Sequence, residues 1–333
     1  MLTLLVAAIA TQAQAPIVPV ARPGIDGRGR DPWVFRGIFE DRTRMLILAP
    51  APNWWMAFNP ETGAMHKVWR GKMDFRGKVW DFSQNNSRAD GQVFHSSPSE
   101  IARLSDTATA NSGWLAKGAT LDKSSWLFSA ADSTITSPSI DAGGWHRVFV
   151  AFDESGKKGR FHVSVSGKVP QWFESATSVG GETDWQWNFK RVERPSKDMV
   201  VTITGNAPGK KLRNLRLYGD KPSWFDAKGN ELGVVWDGYE LISRTKAVDI
   251  NFRLRLTSGK TVTVQHRPDT TPTGWRETIQ IKGLPKGEKL VLRREGLSRG
   301  PRVFGGTPFE KGAWTFIADG EYALGFDLPA EAK

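Results

Sequence analysis

Val248, Ile250, Phe252, Leu254 and Leu256 alternate with Asp249, Asn251, Arg253 and Arg255. Successive side chains on a strand point to opposite faces, so this period of two describes a half-buried strand and not a helix. Thr257-Ser258-Gly259-Lys260 turns the chain, and Val262 and Val264 resume the alternation. Further strands are predicted at 274–283, 288–295, 313–319 and 321–327. Helical periodicity is almost absent along the chain. Short strands at this spacing, punctuated by Gly and Pro, predict an all-β fold built from sandwiches.

The 333 residues suffice for two or three domains, each with a real core. Residues 100–220 read as a succession of strands and hairpins forming a separate sandwich. The polar stretches 83–99 and 219–231 read as linkers by composition. Residues 24–90 and 225–330 are then expected to form one discontinuous outer β-sandwich, with the middle sandwich inserted. Three modules in a row is the alternative, and no fixed-period repeat is visible. Residues 1–15 read as a secretory signal, with an apolar run from Leu2 to Ala10 and an Ala13-Gln14-Ala15 cleavage site. This implies a secreted or periplasmic location, although no Lys or Arg precedes the apolar run. No later stretch approaches the ~18 apolar residues of a membrane span.

The chain has no cysteine, so disulfides and covalently attached haem are excluded. Its net charge is +11, and residues 1–15 carry none of it. Such an excess suits an anionic polysaccharide or cell wall, or simply a solubilising surface.

The middle segment resembles a galactose-binding-like jelly roll of the kind used as carbohydrate-binding modules. The resemblance rests on Ile135-Thr136-Ser137-Pro138, the FVAFDE strand and the closing LRNLRLYG. The run GWHRVFVAFD…GRFHVSVSG is also similar to a laminin-G-type sandwich. Either resemblance implies a β-sandwich whose loops hold a ligand, and the first permits a structural calcium ion. The front segment, Asp31 to Arg36, Arg44 to Leu46 and Thr62 to Gly71, is similar to an uncharacterised region of secreted bacterial chains. Those chains also carry c-type cytochrome or quinoprotein sugar dehydrogenase domains. With no cysteine for a haem site, that resemblance implies a sugar-handling, extracytoplasmic setting without electron transfer.

Fifteen tryptophans on a β-scaffold then pose the functional question. An indole packs well against the apolar patches of a sugar ring while its N–H adds a polar handle. Trp54, Met56 and Phe58 share one strand face and read as core. Trp55 points the other way and is either a sugar platform or pinned beneath another sheet or domain. Trp145 follows Gly143-Gly144 at a loop-to-strand junction. Trp172 and Glu174 share a face, and Glu182 and Asp184 lie close by in sequence; a tryptophan beside carboxylates that accept hydroxyl hydrogen bonds makes a small polar-aromatic site. Trp185, Trp187 and Phe189 share a face that reads as sandwich core.

Glycoside hydrolysis needs two carboxyls across a cleft. Glu174, Glu182, Asp184, Asp237 and Glu277 are available, but no spacing selects a pair. His66, His95, His146, His162 and His266 form no metal-binding spacing. Arg42 with Arg44, Arg253 with Arg255, and Arg293, Arg294, Arg299 and Arg302 read as solvated faces or as a track for a polyanion. The expectation is a secreted, non-catalytic carbohydrate-binding protein. Its ligand-binding residues would be Trp55, Trp145, Trp172, Glu174, Glu182 and Asp184, its partner a polysaccharide, with neither nucleic acid nor membrane span involved. A glycoside hydrolase or polysaccharide lyase on a sandwich scaffold, or a basic surface adhesin for anionic polymers, are the alternatives.

Overall fold

The computed structural model describes residues 32–75, 86–104, 113–156, 159–167, 171–175, 185–193, 195–242, 245–296, 302–304 and 309–327. All of the regular structure among them is β. The segment 1–15 lies outside the described residues.

Five strands open the chain: β1 (Trp33–Phe39), β2 (Arg42–Ala51), β3 (Trp54–Asn59), β4 (Ala64–Asp74) and β5 (Asn86–Ser96). They pair antiparallel in sequence order, and a short parallel β1–β5 pairing at Ile38 and Phe39 closes a barrel. Adjacent Trp54 and Trp55 now separate as strand geometry requires. Trp55 fills the barrel with Phe39, Ile47, Trp69 and Met73. Trp54 lies outside, 5.6 Å from Phe94, on the face that also carries Met56 and Phe58. Strand β5 corrects the expected linker at 83–99. Its Asn, Ser, Asp and Gly content hides a strand, and Gly91 opposes Gly71 in the register with both at positive φ. A Cβ on either glycine would run into the other strand's backbone, so only glycine permits this approach.

The middle unit comprises β6 (Glu100–Arg103), β7 (Leu115–Lys117), β8 (Ala119–Asp122), β9 (Ser125–Phe128), β10 (Thr134–Thr136), β11 (Arg147–Gly156), β12 (Phe161–Val165), β13 (Gln171–Glu174), β14 (Gln186–Glu193), β15 (Val201–Gly205) and β16 (Lys210–Asp220). One sheet runs β13-β12-β15-β10-β7. The other runs β14-β11-β16-β9-β8, with β6 also on β16. Both are antiparallel. From β7 onward the chain crosses between the sheets at every connection except the hairpins β8–β9 and β12–β13. That winding gives a β-sandwich, filled by alternate residues such as Ile135, Val148, Val150, Phe152, Val163 and Ile203.

The last unit contains β17 (Trp224–Asp226), β18 (Gly233–Ile242), β19 (Ala247–Arg255), β20 (Thr261–Thr271), β21 (Gly274–Lys282), β22 (Leu290–Arg293), β23 (Arg302–Phe304), β24 (Phe309–Glu310), β25 (Ala313–Phe316) and β26 (Gly320–Asp327). They form sheets ordered β17-β22-β25-β24 and β18-β19-β20-β21-β26-β23. The alternation at 248–256 becomes β19, with Val248, Ile250, Phe252 and Leu254 inside. The front segment adds no strand to either sheet. It closes on itself, and its outer residues Leu46, Leu48, Met56, Phe58 and Val68 share one core with the C-terminal strands. Gly63 seats the barrel: its carbonyl accepts the Trp224 Nε1–H at 2.8 Å, and a Cβ there would press on Phe252. The sandwich is thus inserted between two pieces that share a core.

Candidate functional site

The two sheets of the middle sandwich have contrasting outer faces. On the six-stranded sheet, Phe149, Ala151 and Tyr218 are buried, with Phe189 packed on them. The β1–β2 hairpin of the barrel covers this face. Arg42 donates to Asp220 at 2.7 Å and to the Gly219 carbonyl at 2.8 Å. Arg216 grips Asp41 through two bonds of 2.6 and 2.5 Å, and the Tyr218 hydroxyl donates to the Asp41 carbonyl. Glu61 pairs with Arg147 and Arg191.

Among the described residues the outer face of the five-stranded sheet is open, and it carries two rows of side chains set by the strand register. One row runs Lys117, Thr134, Thr204, His162, Glu174; the other runs Leu115, Thr136, Thr202, Ser164, Trp172. Four inter-strand steps make each row roughly 19 Å long. The inward-pointing neighbours Ile135, Val163 and Ile203 belong to the sandwich core, so the rows are fixed on a rigid floor. Thr136 and Thr202 hydroxyls lie 3.3 Å apart.

Trp172 ends the second row. It is 68% exposed, and its indole stacks on the His162 imidazole with centroids 5.5 Å apart and planes at 25°. The imidazole backs one face of the ring and leaves the rest to solvent. Glu174, on the same strand face, accepts from Arg160 at 2.9 Å, an exposed pair that leaves acceptor capacity on the carboxylate. A shallow hollow of about 400 Å³ lies here, bordered by Trp172, His162, Ser164, Ser166 and Gln171. At the far edge Leu115 is 70% exposed. The arrangement offers an aromatic plane, a carboxylate and a line of hydroxyls in one surface.

The other sequence-predicted residues fall elsewhere. Trp55 is 1% exposed, stacked 6.1 Å from Trp69, and donates to the Gly71 carbonyl at 3.2 Å. No ring face is left for a ligand, because the second tryptophan of the pair is covered by the barrel's own closure. Trp145 lies half-buried in the loop before β11, against the sandwich core, with the Lys221 ammonium 5.5 Å from its ring centre. It lines a second, deeper cavity that Trp172 does not touch. Glu182 and Asp184 lie outside the described residues.

Trp187 and Phe189 correct another expectation: they stack on the outer face of β14, 4.8 Å apart, and not in the sandwich core. Both faces of that sheet are covered, so alternation alone could not say which is interior. Asp237 holds Arg253 through bonds of 2.9 and 2.8 Å. Arg42 is buried in its pair with Asp220, so it belongs to no solvated face or polyanion track.

No spacing in the chain announces the buried polar cluster at the joint of barrel and C-terminal sheets. Glu277 meets Arg294 and lies 2.8 Å from His266 Nε2, all three sealed. Burial pushes the Glu277 carboxyl up, but Arg294 and His266 override it and hold it at about 2. His95, whose Nε2 is 3.1 Å from the Met65 carbonyl, is pushed down to about 4 by burial and by Arg294. Among the described residues no three His, Cys, Asp or Glu side chains gather as a metal site.

No family model and no curated protein matches this chain. Solved structures give faint likenesses. The carbohydrate-binding module of Cellvibrio mixtus lichenase 5A, in complex with cellotriose, is 14% identical over 35% of this chain and 96% of its own, with a TM-score of 0.27. A two-module piece of Clostridium thermocellum xylanase 10B complexed with xylohexaose is 12% identical over 37% of this chain and 29% of its own, TM-score 0.29. The C-terminal carbohydrate-binding module of a Zobellia galactanivorans laminarinase is 11% identical over 36% of this chain and 99% of its own, TM-score 0.27. Likenesses this slight carry no weight for function, which rests on the side chains themselves.

Proposed function

We propose that this protein binds a polysaccharide, without cleaving it, along the open face of its five-stranded sheet. The observation that carries this reading is Trp172: a large indole left 68% exposed, backed by His162, at the head of a hydroxyl row and beside Glu174. An exposed tryptophan on a rigid strand loses little entropy when it stacks, and its apolar plane gains from covering a sugar's C–H face. Thr134, Thr136, Thr202, Thr204 and Ser164 both donate and accept, as a chain of sugar hydroxyls requires. Glu174 accepts from hydroxyls at the tryptophan end.

Glu174 is the single carboxylate in the two rows, and glycoside hydrolysis takes a pair, so the face suits holding more than cutting. An open face admits the interior of a chain from either side. An extracytoplasmic location and a role for the basic surface in anionic glycans belong to the same reading.

Affinity electrophoresis of the full chain through gels containing neutral and acidic polysaccharides tests it. Retardation in at least one gel, clearly reduced in Trp172→Ala and largely retained in Trp172→Phe, is the expected result. Free migration in every gel, or equal retardation of wild type and Trp172→Ala, would overturn it.

A further inference from the structure

A cavity of about 310 Å³ opens where the two chain crossings meet. Ser97 and Pro98, leading from barrel to sandwich, border it on one side. Lys221 to Ser223, leading from sandwich to C-terminal sheets, border it on the other. Its volume is at the lower end of small-molecule sites, enough for one ring-sized ligand and not for a polymer lying across it.

Its chemistry is mixed in a specific way. Trp145 forms an apolar wall. His66 lines the cavity, is 3% exposed, and its Nε2 has no hydrogen-bond partner among the described residues. Burial, with the nearby Arg42 and Lys67 charges, keeps the ring well below its ordinary pKa and therefore neutral. A buried ring nitrogen without a partner is rare in a folded protein and is relieved by a ligand hydroxyl.

The charged residues on the wall are mostly committed already. Asp220 is held by Arg42, and Lys221 pairs with Glu295 at 2.8 Å. Two remain. Arg293 lies with its guanidinium 4.0 Å over the Phe225 ring and has no carboxylate partner among the described residues. Asp141 is exposed and accepts from the Gly143 amide at 3.2 Å through one oxygen. A guanidinium without a carboxylate partner among the described residues, a carboxylate and an imidazole nitrogen able to meet hydroxyls, and an aromatic wall suit a ligand that carries a carboxylate beside hydroxyls.

We propose that this cavity is a second binding site, for a single sugar acid: a uronate, taken free or as the end unit of a glycan. The proposal rests on the glycan reading, but on none of the residues that carry it. Arg293 takes the carboxylate, Asp141 and His66 take hydroxyls, and Trp145 covers the ring's apolar side. The open sheet face would then hold the run of a chain, and the seam cavity an acidic terminus.

Isothermal titration of the full chain with galacturonate and glucuronate tests this, with galactose, glucose and acetate as controls. The expected result is at least ten-fold tighter binding of a sugar acid than of its neutral counterpart or acetate. Arg293→Gln, an exposed position, should erase that margin, while Trp172→Ala should leave it intact. Equal binding of acid and neutral sugars, or a margin unchanged in Arg293→Gln, would overturn the assignment even if Trp172-dependent retention on polysaccharide persists. Loss of the margin in Trp172→Ala would overturn it as well. Oligosaccharides carrying the uronate at the end or in the interior separate the sources: preference for the terminal form identifies a chain end, and no gain over the monosaccharide identifies the free acid.

Discussion

The two outer faces of the middle sandwich are built from the same strand geometry and put to opposite uses. On one, Phe149, Phe189 and Tyr218 stand where Thr134, Thr202 and Ser164 stand on the other. The aromatic face is sealed by the barrel hairpin through Asp41 and Arg42, so its rings serve cohesion. The hydroxyl face is uncovered among the described residues, and Trp172 on it is among the most exposed large side chains described. An indole is therefore a poor guide to ligand binding until the cover over it is known. Covered aromatic area stabilises a joint by the hydrophobic effect. An uncovered ring on a rigid floor keeps its apolar area available to a ligand.

The largest effect should come from breaking the seal. Asp220→Ala leaves the Arg42 guanidinium buried without its carboxylate and should cost about 3–5 kcal/mol in denaturant unfolding. Trp172→Ala, on the open face, should change stability by no more than about 0.5 kcal/mol in the same assay. Equal losses from the two would erase the distinction drawn between the faces.

Acid should next separate the joints from the open face. His95 has a folded pKa of about 4 against 6.5 unfolded, so between those values the unfolded chain binds the extra proton and stability falls as pH falls. Two and a half units correspond to about 3 kcal/mol, lost from pH 6.5 down to 4. Glu277, at about 2 against 4.5, adds a loss of the same sign from pH 4.5 down to 2. His146 opposes them, since its bond to Glu231 raises its pKa and its contribution fades as pH rises. Thermal melts from pH 7 to 4 should show a falling midpoint, and His95→Gln should flatten the upper part of that curve. A midpoint independent of pH would contradict the buried cluster's role.

The effects on binding are smaller in energy. Trp172→Ala should weaken polysaccharide binding by about 1–2 kcal/mol, roughly five- to thirty-fold, measured by calorimetry. Thr202→Val, which removes one hydroxyl from the middle of the row and keeps the strand, should weaken it several-fold and no further. A larger loss from Thr202→Val than from Trp172→Ala would move the centre of the site away from the tryptophan.

Which side chains share a face is legible in the sequence itself. Trp172 and Glu174 are two residues apart on a strand, so their shared face follows from the pleat alone, as does the separation of Trp54 from Trp55. The alternation at 248–256 gave β19 and its buried side directly. What covers a face was not readable, because covering depends on partners distant in the chain. Arg42 meets Asp220 across 178 positions, and nothing local distinguishes it from exposed Arg44. The barrel leaves little trace in the sequence for a related reason: its closing strand β5 is polar, and its short parallel contact with β1 leaves no periodic mark. His66, His95, His266 and Glu277 show no spacing that marks them as buried, because His66 and His95 stand on the barrel and His266 and Glu277 on the six-stranded C-terminal sheet, far apart in the chain.

The most direct test is a chemical footprint of the tryptophans in the presence and absence of a retained polysaccharide. Mild indole oxidation read by peptide mass spectrometry reports each ring separately. Saturating glycan should protect Trp172 strongly, while Trp55, Trp69 and Trp224, already sealed, stay unreactive in both samples. Binding of the polysaccharide with Trp172 oxidised as fast as in the free protein would contradict the account.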